Sequence, residues 1–427
     1  MARFAIEHEW LSGTANAAAS ELQATWARFS LRVDGSPLIV GRDPETGVLR
    51  DSLIVPLYPV AEWIAFNWWL LFENTRTLVS AAVDPRCMIA IGDGFLWPNI
   101  SFIPSGDSMR IEVAPWRSLP NQYLSFEGRT SIWLESAEVR QRFVDVVDSV
   151  LQQLNRAGVI GSPLQLEWER LQSLDSEEQM FCRMAANLGL DPFSEGVELE
   201  RSISEAFSQL PTELIDEFAS AVRADTLAES TLWVTDRIEE LKSSPPAPPT
   251  LISLDAITTS VHSAKLATSP PWMQGYEAAK RVRQAVGMSP IDPVDSLPVA
   301  IIEPVKTTHL RELEAVGRRV GNEGLAIATG RPMRKETERF QAARVLALVA
   351  QEQQFEGYAL STSGHTPAQR ASRAFAAELL APADGIESYI GFAPTLDDDV
   401  AIEECAAHFG VSLLVIAHQL ENQLLPG

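Results

Sequence analysis

Cysteine is scarce in this chain: Cys87, Cys182 and Cys405 are the only three in 427 residues. An odd number at wide spacing makes neither a disulfide framework nor a zinc-thiolate pattern, and it suits a reducing compartment. Positive charge is also short, with 34 Lys and Arg against 57 Asp and Glu, a formal net charge of -23. A field of that sign repels phosphate backbones, so direct nucleic-acid binding is not expected without a local basic patch. Long apolar runs are missing too. The most hydrophobic stretch, Val60–Phe72, is interrupted by Glu62 and Asn67 and is too short to span a bilayer. The first ten residues carry Glu7 and Glu9 where a signal peptide needs an apolar core. The expectation is a cytoplasmic protein with no membrane segment. There is no Walker motif, no Gly-x-Ser-x-Gly and no dinucleotide fingerprint, so those chemistries are not expected.

What is present fits packed structure: 46% hydrophobic and 21% charged residues. The length calls for two or three domains. The pattern reads as a multidomain α+β protein. Residues 1–135 form a β-rich aromatic module, 136–242 an acidic helical region, 243–269 a Pro-rich linker, and 270–427 a mostly helical domain.

In the first module, Phe4–Trp10 and Ala24–Val33 alternate as strands do, and Asp34-Gly35 is a turn signal. Pro37–Val40, Ser52–Leu57, Met88–Ile91, Ser101–Ile103, Met109–Val113 and Ser131–Leu134 are further strand candidates. Ala61–Leu71 fits a short helix or a buried strand. Eight of the eleven tryptophans lie here: Trp10, Trp26, Trp63, Trp68, Trp69, Trp97, Trp116 and Trp133. They fill a core or form a recognition surface, where tryptophan is enriched. On a strand, Trp68 and Trp69 would face opposite ways. Glu7 and Glu9 would share a face away from His8, which argues against a metal site there.

Glu135–Ala157 reads as an amphipathic helix, with Val139, Phe143, Val146, Val150 and Leu154 on one side. Helices follow at Leu164–Leu174, Ser176–Leu188 (Ser176 as N-cap), Glu198–Phe207, Pro211–Ala224 and Leu227–Leu241. Residues 167–240 contain 18 Asp or Glu and 5 Arg, a net of -13. A DNA-reading helix needs cations for phosphates, so this region reads as a solvated face, a protein-binding spacer or a DNA mimic. Four prolines within Ser243–Thr250 mark the linker.

Beyond it, two helices carry the chemistry that remains to be read. Glu338–Val349 places Phe340, Ala343, Leu346 and Val349 at helical spacing, and Ala368–Pro382 is an Ala-rich helix closed by Ala-Pro. The pair resembles the catalytic core of ImmA/IrrE-type zinc metallopeptidases. That family carries Arg-Phe-Thr-x-Ala-His-Glu-x-Gly-His and, later, Glu-x-x-Ala-Asn-x-Phe-Ala-Ala-Glu-Leu-Leu-Met-Pro. Here the second motif ends as Phe375-Ala-Ala-Glu-Leu-Leu-Ala-Pro382, and the first keeps Arg339-Phe340-Gln341-Ala342-Ala343. The helix Pro271–Gly287 leading to Pro290-Ile-Asp292, and the Phe409-Gly-Val-Ser412 turn near the end, are similar to the same family. The resemblance covers residues 270–425.

Where the resemblance implies His-Glu-x-x-His, the chain has Arg344, Val345 and Leu348. An active zincin needs two imidazoles one turn apart and a carboxylate as general base. A guanidinium is a poor ligand for a cation, and the two aliphatic side chains have no lone pair. The third ligand position falls near Gln369 or Ala371, and neither is a carboxylate. Glu378 stands in the family's packing motif, not among its ligands. The expectation is a degenerate member, a pseudoenzyme without metal or cofactor. His309, His365, His408 and His418 offer no zincin spacing for a relocated site. The basic residues Lys280, Arg281, Arg283, Arg311, Arg318, Arg319, Arg331, Arg334, Lys335, Arg339 and Arg344 are ordinary solvated positions or an anion groove. The resemblance implies a context of bacterial or phage regulation, stress or defence. The functions in view are a non-catalytic regulatory protein with a protein partner (a regulator or toxin-like protein), a metallopeptidase with relocated ligands, and an acidic DNA mimic with a basic partner.

Overall fold

The structure is a computed structural model. It describes the chain except residues 1–2, 13–18, 77–82, 117–123, 194–196, 249, 265–267, 303–308, 321–323, 352–356, 392–398 and 426–427. The chain is mixed α+β and divides into two compact units, Met1–Pro192 and Phe193–Gly427.

In the first unit, strands β1 (Phe4–Trp10) and β2 (Trp26–Val33) pair antiparallel, and β2 also pairs with β3 (Leu53–Pro56). Asp34 and Gly35 both take positive φ in the turn after β2. Helices α1 (Tyr58–Phe66) and α2 (Trp68–Phe72) follow. A second antiparallel sheet runs β6–β5–β4, from β4 (Asn99–Ser105), β5 (Ser108–Ala114) and β6 (Thr130–Glu135). Helix α3 (Ser136–Arg156) buries Val139, Phe143, Val146, Val147, Val150 and Leu154, the stripe its periodicity predicts. Phe143 sits among rings, 4.9 Å from Phe102, 5.7 Å from Phe72 and 6.2 Å from Trp63. Helices α4 (Pro163–Ser173) and α5 (Ser176–Leu188) complete the unit.

Several local expectations change. Ala61–Leu71 resolves into α1 and α2, so Trp68 and Trp69 are helical neighbours and not opposite faces of a strand. Met88–Ile91 is a 3-10 turn, and only Ser36–Pro37 of the region around Pro37–Val40 is strand. Short apolar runs carry no period, so sequence leaves helix and strand undecided there. The N-cap of α5 is Asp175, whose carboxylate accepts from the Glu177 and Glu178 amides. Among the eight tryptophans, Trp63 and Trp97 are buried and the other six are half-buried.

The second unit begins inside the acidic helical segment. It holds α6 (Val197–Ser208), α7 (Ile215–Ala221), α8 (Leu227–Lys242), α9 (Leu254–Ala264) and α10 (Pro271–Ala285). The boundary between the two compact units falls before α6. Ala247 of the Pro-rich stretch lies so close to Gly324 that a Cβ on the glycine would strike it. A four-stranded sheet runs β7–β9–β8–β10, from β7 (Val299–Ile302), β8 (Leu313–Val320), β9 (Gly324–Thr329) and β10 (Tyr358–Thr362). Only β7–β9 is parallel. Strands β8 and β10 were not among the expected strands.

All six residues of β9 are buried, which requires cover on both faces of the sheet. Helix α11 (Lys335–Gln351) covers one face, with Val345 against Gly317 of β8. Helix α8 also packs on β8 and β9. Helix α12 (Pro367–Leu380) lies against α10 and α11. A Cβ at Gly275 of α10 would collide with the Ala371 carbonyl of α12, so these helices meet backbone to backbone. Helices α13 (Ala383–Ile390), α14 (Asp399–Phe409) and α15 (Leu413–Gln419) close the chain, with the α14–α15 turn at Gly410, φ 63°. Among the described residues no single helix is long and apolar enough to cross a membrane. The bent pair Val400–Phe409 and Leu413–Leu424 meets that test by length and composition alone. Its Cys405, Phe409, Val415 and Ile416 lie in the unit's core.

Candidate functional site

The four positions singled out by the sequence separate into two roles. Val345 and Leu348 are core side chains, 0% and 5% exposed. Arg344 and Gln369 meet, and around them the second unit builds a buried polar network.

Helix α11 carries Arg344 inward, where it is 3% exposed. Its Nη1 donates to Glu314 on β8 and, at 3.3 Å, to Gln341 Oε1 one turn earlier. Its Nη2 donates to the Thr362 carbonyl at 2.8 Å and to Gln369 Oε1 at 2.7 Å. Glu314 also accepts from Ser361 Oγ at 3.2 Å.

Gln369 is completely buried on the first turn of α12. Its Oε1 accepts from the Thr362 amide at 3.1 Å, and its Nε2 donates to the Leu360 carbonyl at 2.8 Å. One side-chain amide therefore meets the groups of β10 that a neighbouring parallel strand would meet. The outer edge of β10 is closed at this point by a side chain.

Gln369 Nε2 also donates to Glu217 Oε2 at 2.9 Å, and Thr366 Oγ1 donates to Glu217 Oε1 at 2.7 Å. Thr366 is at the same time the N-cap of α12, accepting from the Gln369 amide. Nearby, Glu213 Oε1 accepts from the Tyr358 amide at the start of β10. Arg373 Nη2 donates to the Thr362 carbonyl at 2.9 Å. Burial raises the Glu217 carboxyl above its ordinary range, while burial first and then Arg344 push Arg373 down to about 10. Glu314 is the ion-pair partner of Arg344, and Glu314 and Glu217 both lie within reach of the Arg373 charge. Two donors, Arg344 Nε and Gln341 Nε2, have no acceptor.

This donor set does not fit a zinc ion. It contains no imidazole or thiolate, and both carboxylates are already engaged by hydrogen-bond donors. Elsewhere the histidines stand apart. His309 is exposed beside Glu229 at 3.4 Å, and His408 stacks on Tyr389 with its Nε2 2.9 Å from the Ile291 carbonyl. His365 is exposed in the turn before α12, and His418 is exposed on α15. Among the described residues no group of three or more His, Cys, Asp or Glu could hold a metal ion.

The basic residues do not assemble into one groove. Arg283 is buried and donates to the carbonyls of Leu379, Ser289 and Asp292, and Arg339 to those of Gly410 and Val294. Both act as clamps on chain turns. Arg319 pairs with Asp255 at 3.0 Å, while Arg331, Arg334 and Lys335 are exposed. Glu378, fully buried at the far end of α12, accepts from the Ala383 amide and from Gln419 and Gln423. It therefore ties the last helices to α12.

Glu217 and Glu314 were absent from the sequence-derived site. Glu314 lies in Leu313-Glu-Ala-Val-Gly-Arg-Arg-Val320, where no strand was expected, and its inward turn toward Arg344 depends on packing. Glu217 is one acid among many, about 150 residues from its partners. No family model matches the chain, and it matches none of the curated proteins or solved structures.

Proposed function

We propose that the second unit is a catalytically silent ImmA/IrrE-type metallopeptidase fold, and that the chain is a non-catalytic regulatory protein that binds a protein partner in the cytoplasm. The observation that carries this reading is the Arg344–Gln369 contact, with Glu314 on the other side of the guanidinium. Two positions that the resemblance assigns to metal ligation have become a cation and an amide that satisfy each other and the edge of β10. A fixed positive charge there opposes the entry of a second cation. The scaffold keeps its helix pair through Gly275 and its terminal packing through Glu378, so what it retains is shape.

The test pairs metal analysis with capture. Plasma mass spectrometry on the purified protein is expected to find no stoichiometric zinc, and the unaltered chain should retain a specific host protein uncleaved. Stoichiometric zinc, or time-dependent cleavage of the captured protein, would overturn the reading. The variant Arg344→His, Val345→Glu, Leu348→His serves as the positive control for zinc uptake.

A further inference from the structure

The first unit contains a feature that the peptidase-like reading does not use. A cleft of about 400 Å³ opens between α2, α3, α4 and α5, lined among others by Trp68, Trp69, Arg140, Gln179, Met180 and Arg183. Its size falls in the range of small-molecule sites, and its lining combines aromatic walls with a few polar groups as such sites do.

The chemistry of the walls narrows the ligand. Arg140 lies over the Trp68 ring at 5.3 Å and the Phe72 ring at 4.5 Å, and its Nη2 donates to Glu73 at 2.8 Å. The guanidinium is thus held in place before any ligand arrives, with one nitrogen engaged by Glu73. Arg140 and Arg183 against Glu73 leave the lining one positive charge in excess, inside a chain of net charge -23. A cation entering would face two guanidiniums, whereas a carboxylate would meet donors. Trp68 and Trp69 supply flat apolar surface, and Met180, 39% exposed, supplies an adaptable wall.

We propose that this cleft binds a small planar organic anion, an aromatic or conjugated carboxylate, with its ring on the tryptophans and its carboxylate toward Arg140. The assignment is independent of the second unit.

The experiment titrates the full-length protein with 2-naphthoate, 2-naphthamide and 2-naphthylmethylammonium by ligand-observed NMR. At the binding efficiency usual for such ligands, naphthoate should saturate with a Kd on the order of 1 mM. The amide should bind at least about fivefold more weakly and the ammonium more weakly still. Arg140→Gln should abolish the preference for the carboxylate. Met180→Glu, an exposed substitution that leaves the core alone, should weaken naphthoate at least about fivefold by repulsion. Equal binding of the three probes, binding unchanged in both variants, or no saturation by about 10 mM would each overturn the assignment. So would an acidic peptide that binds the wild type more tightly than naphthoate and is lost in Met180→Glu, because the occupant would then be a protein.

Discussion

Arg140 in the first unit and Arg344 in the second both stand beside a carboxylate, yet they do opposite work. Arg140 lies on the wall of an open cleft, its side chain 35% exposed, stacked on rings and joined to Glu73 through one nitrogen. Arg344 is 3% exposed and engages Glu314, Gln341, Gln369 and the Thr362 carbonyl. An exposed cation keeps its hydration and can exchange partners. A buried one must be paired internally, and the fold around it cannot easily let it go. Binding capacity therefore lies where the cation is exposed, and structural commitment lies where it is buried.

The largest expected effect separates the two directly. Arg344→Leu leaves Glu314 and Gln369 facing an aliphatic side chain, and should cost about 3–5 kcal/mol of unfolding free energy in urea denaturation. A loss under about 1 kcal/mol would mean that the network is as loose as a surface pair. Next comes Gly275→Ala, where the new methyl meets the Ala371 carbonyl. Forcing α10 from α12 should cost about 1–3 kcal/mol, read from the same denaturation curves. Arg140→Gln should cost only about 1 kcal/mol, from a half-exposed ion pair and its ring contacts. If it matched Arg344→Leu, the contrast between the two arginines would fail.

The smallest effect is a dependence on pH. Burial raises the Glu217 carboxyl, so the folded state favours its protonated form. The stability this contributes is complete below the ordinary glutamate range and is lost as pH rises through the raised value. Glu217→Gln is neutral throughout and lacks that loss. Its thermal midpoint should therefore gain on that of the wild type as pH rises above the ordinary glutamate range. A constant difference over that rise would show that Thr366 and Gln369 stabilise the ionised carboxylate well enough to cancel the effect of burial.

Much of the scaffold was legible beforehand because it is written in local periodicity. The stripe from Val139 to Leu154 predicted α3 and its buried face, and Asp34-Gly35 predicted a turn that needs positive φ. The Ala-rich stretch Ala368–Pro382 predicted α12, and its close approach to α10 is allowed by Gly275. The site was legible only in part. Arg344, and Gln369 or Ala371, could be named from a resemblance, but nothing local linked them to Glu314 or Glu217. The acidic segment read as one region because its composition is uniform, yet Glu213 and Glu217 are used at the edge of β10. The Pro-rich stretch read as a boundary because proline stiffens a chain, but stiffness does not decide whether Ala247 packs on Gly324.

By itself, the sequence determined where the long amphipathic helices and the Asp34-Gly35 turn form, and that Arg344, Val345 and Leu348 lack the means to bind a metal. Those properties depend on side-chain type and on neighbours within one or two turns. Only the tertiary structure decided that Arg344 is neutralised by Glu314, that the Gln369 amide closes the edge of β10, and that Glu217 is buried against α12. These depend on residues far apart in sequence whose meeting is fixed by burial, and burial belongs to the packed whole.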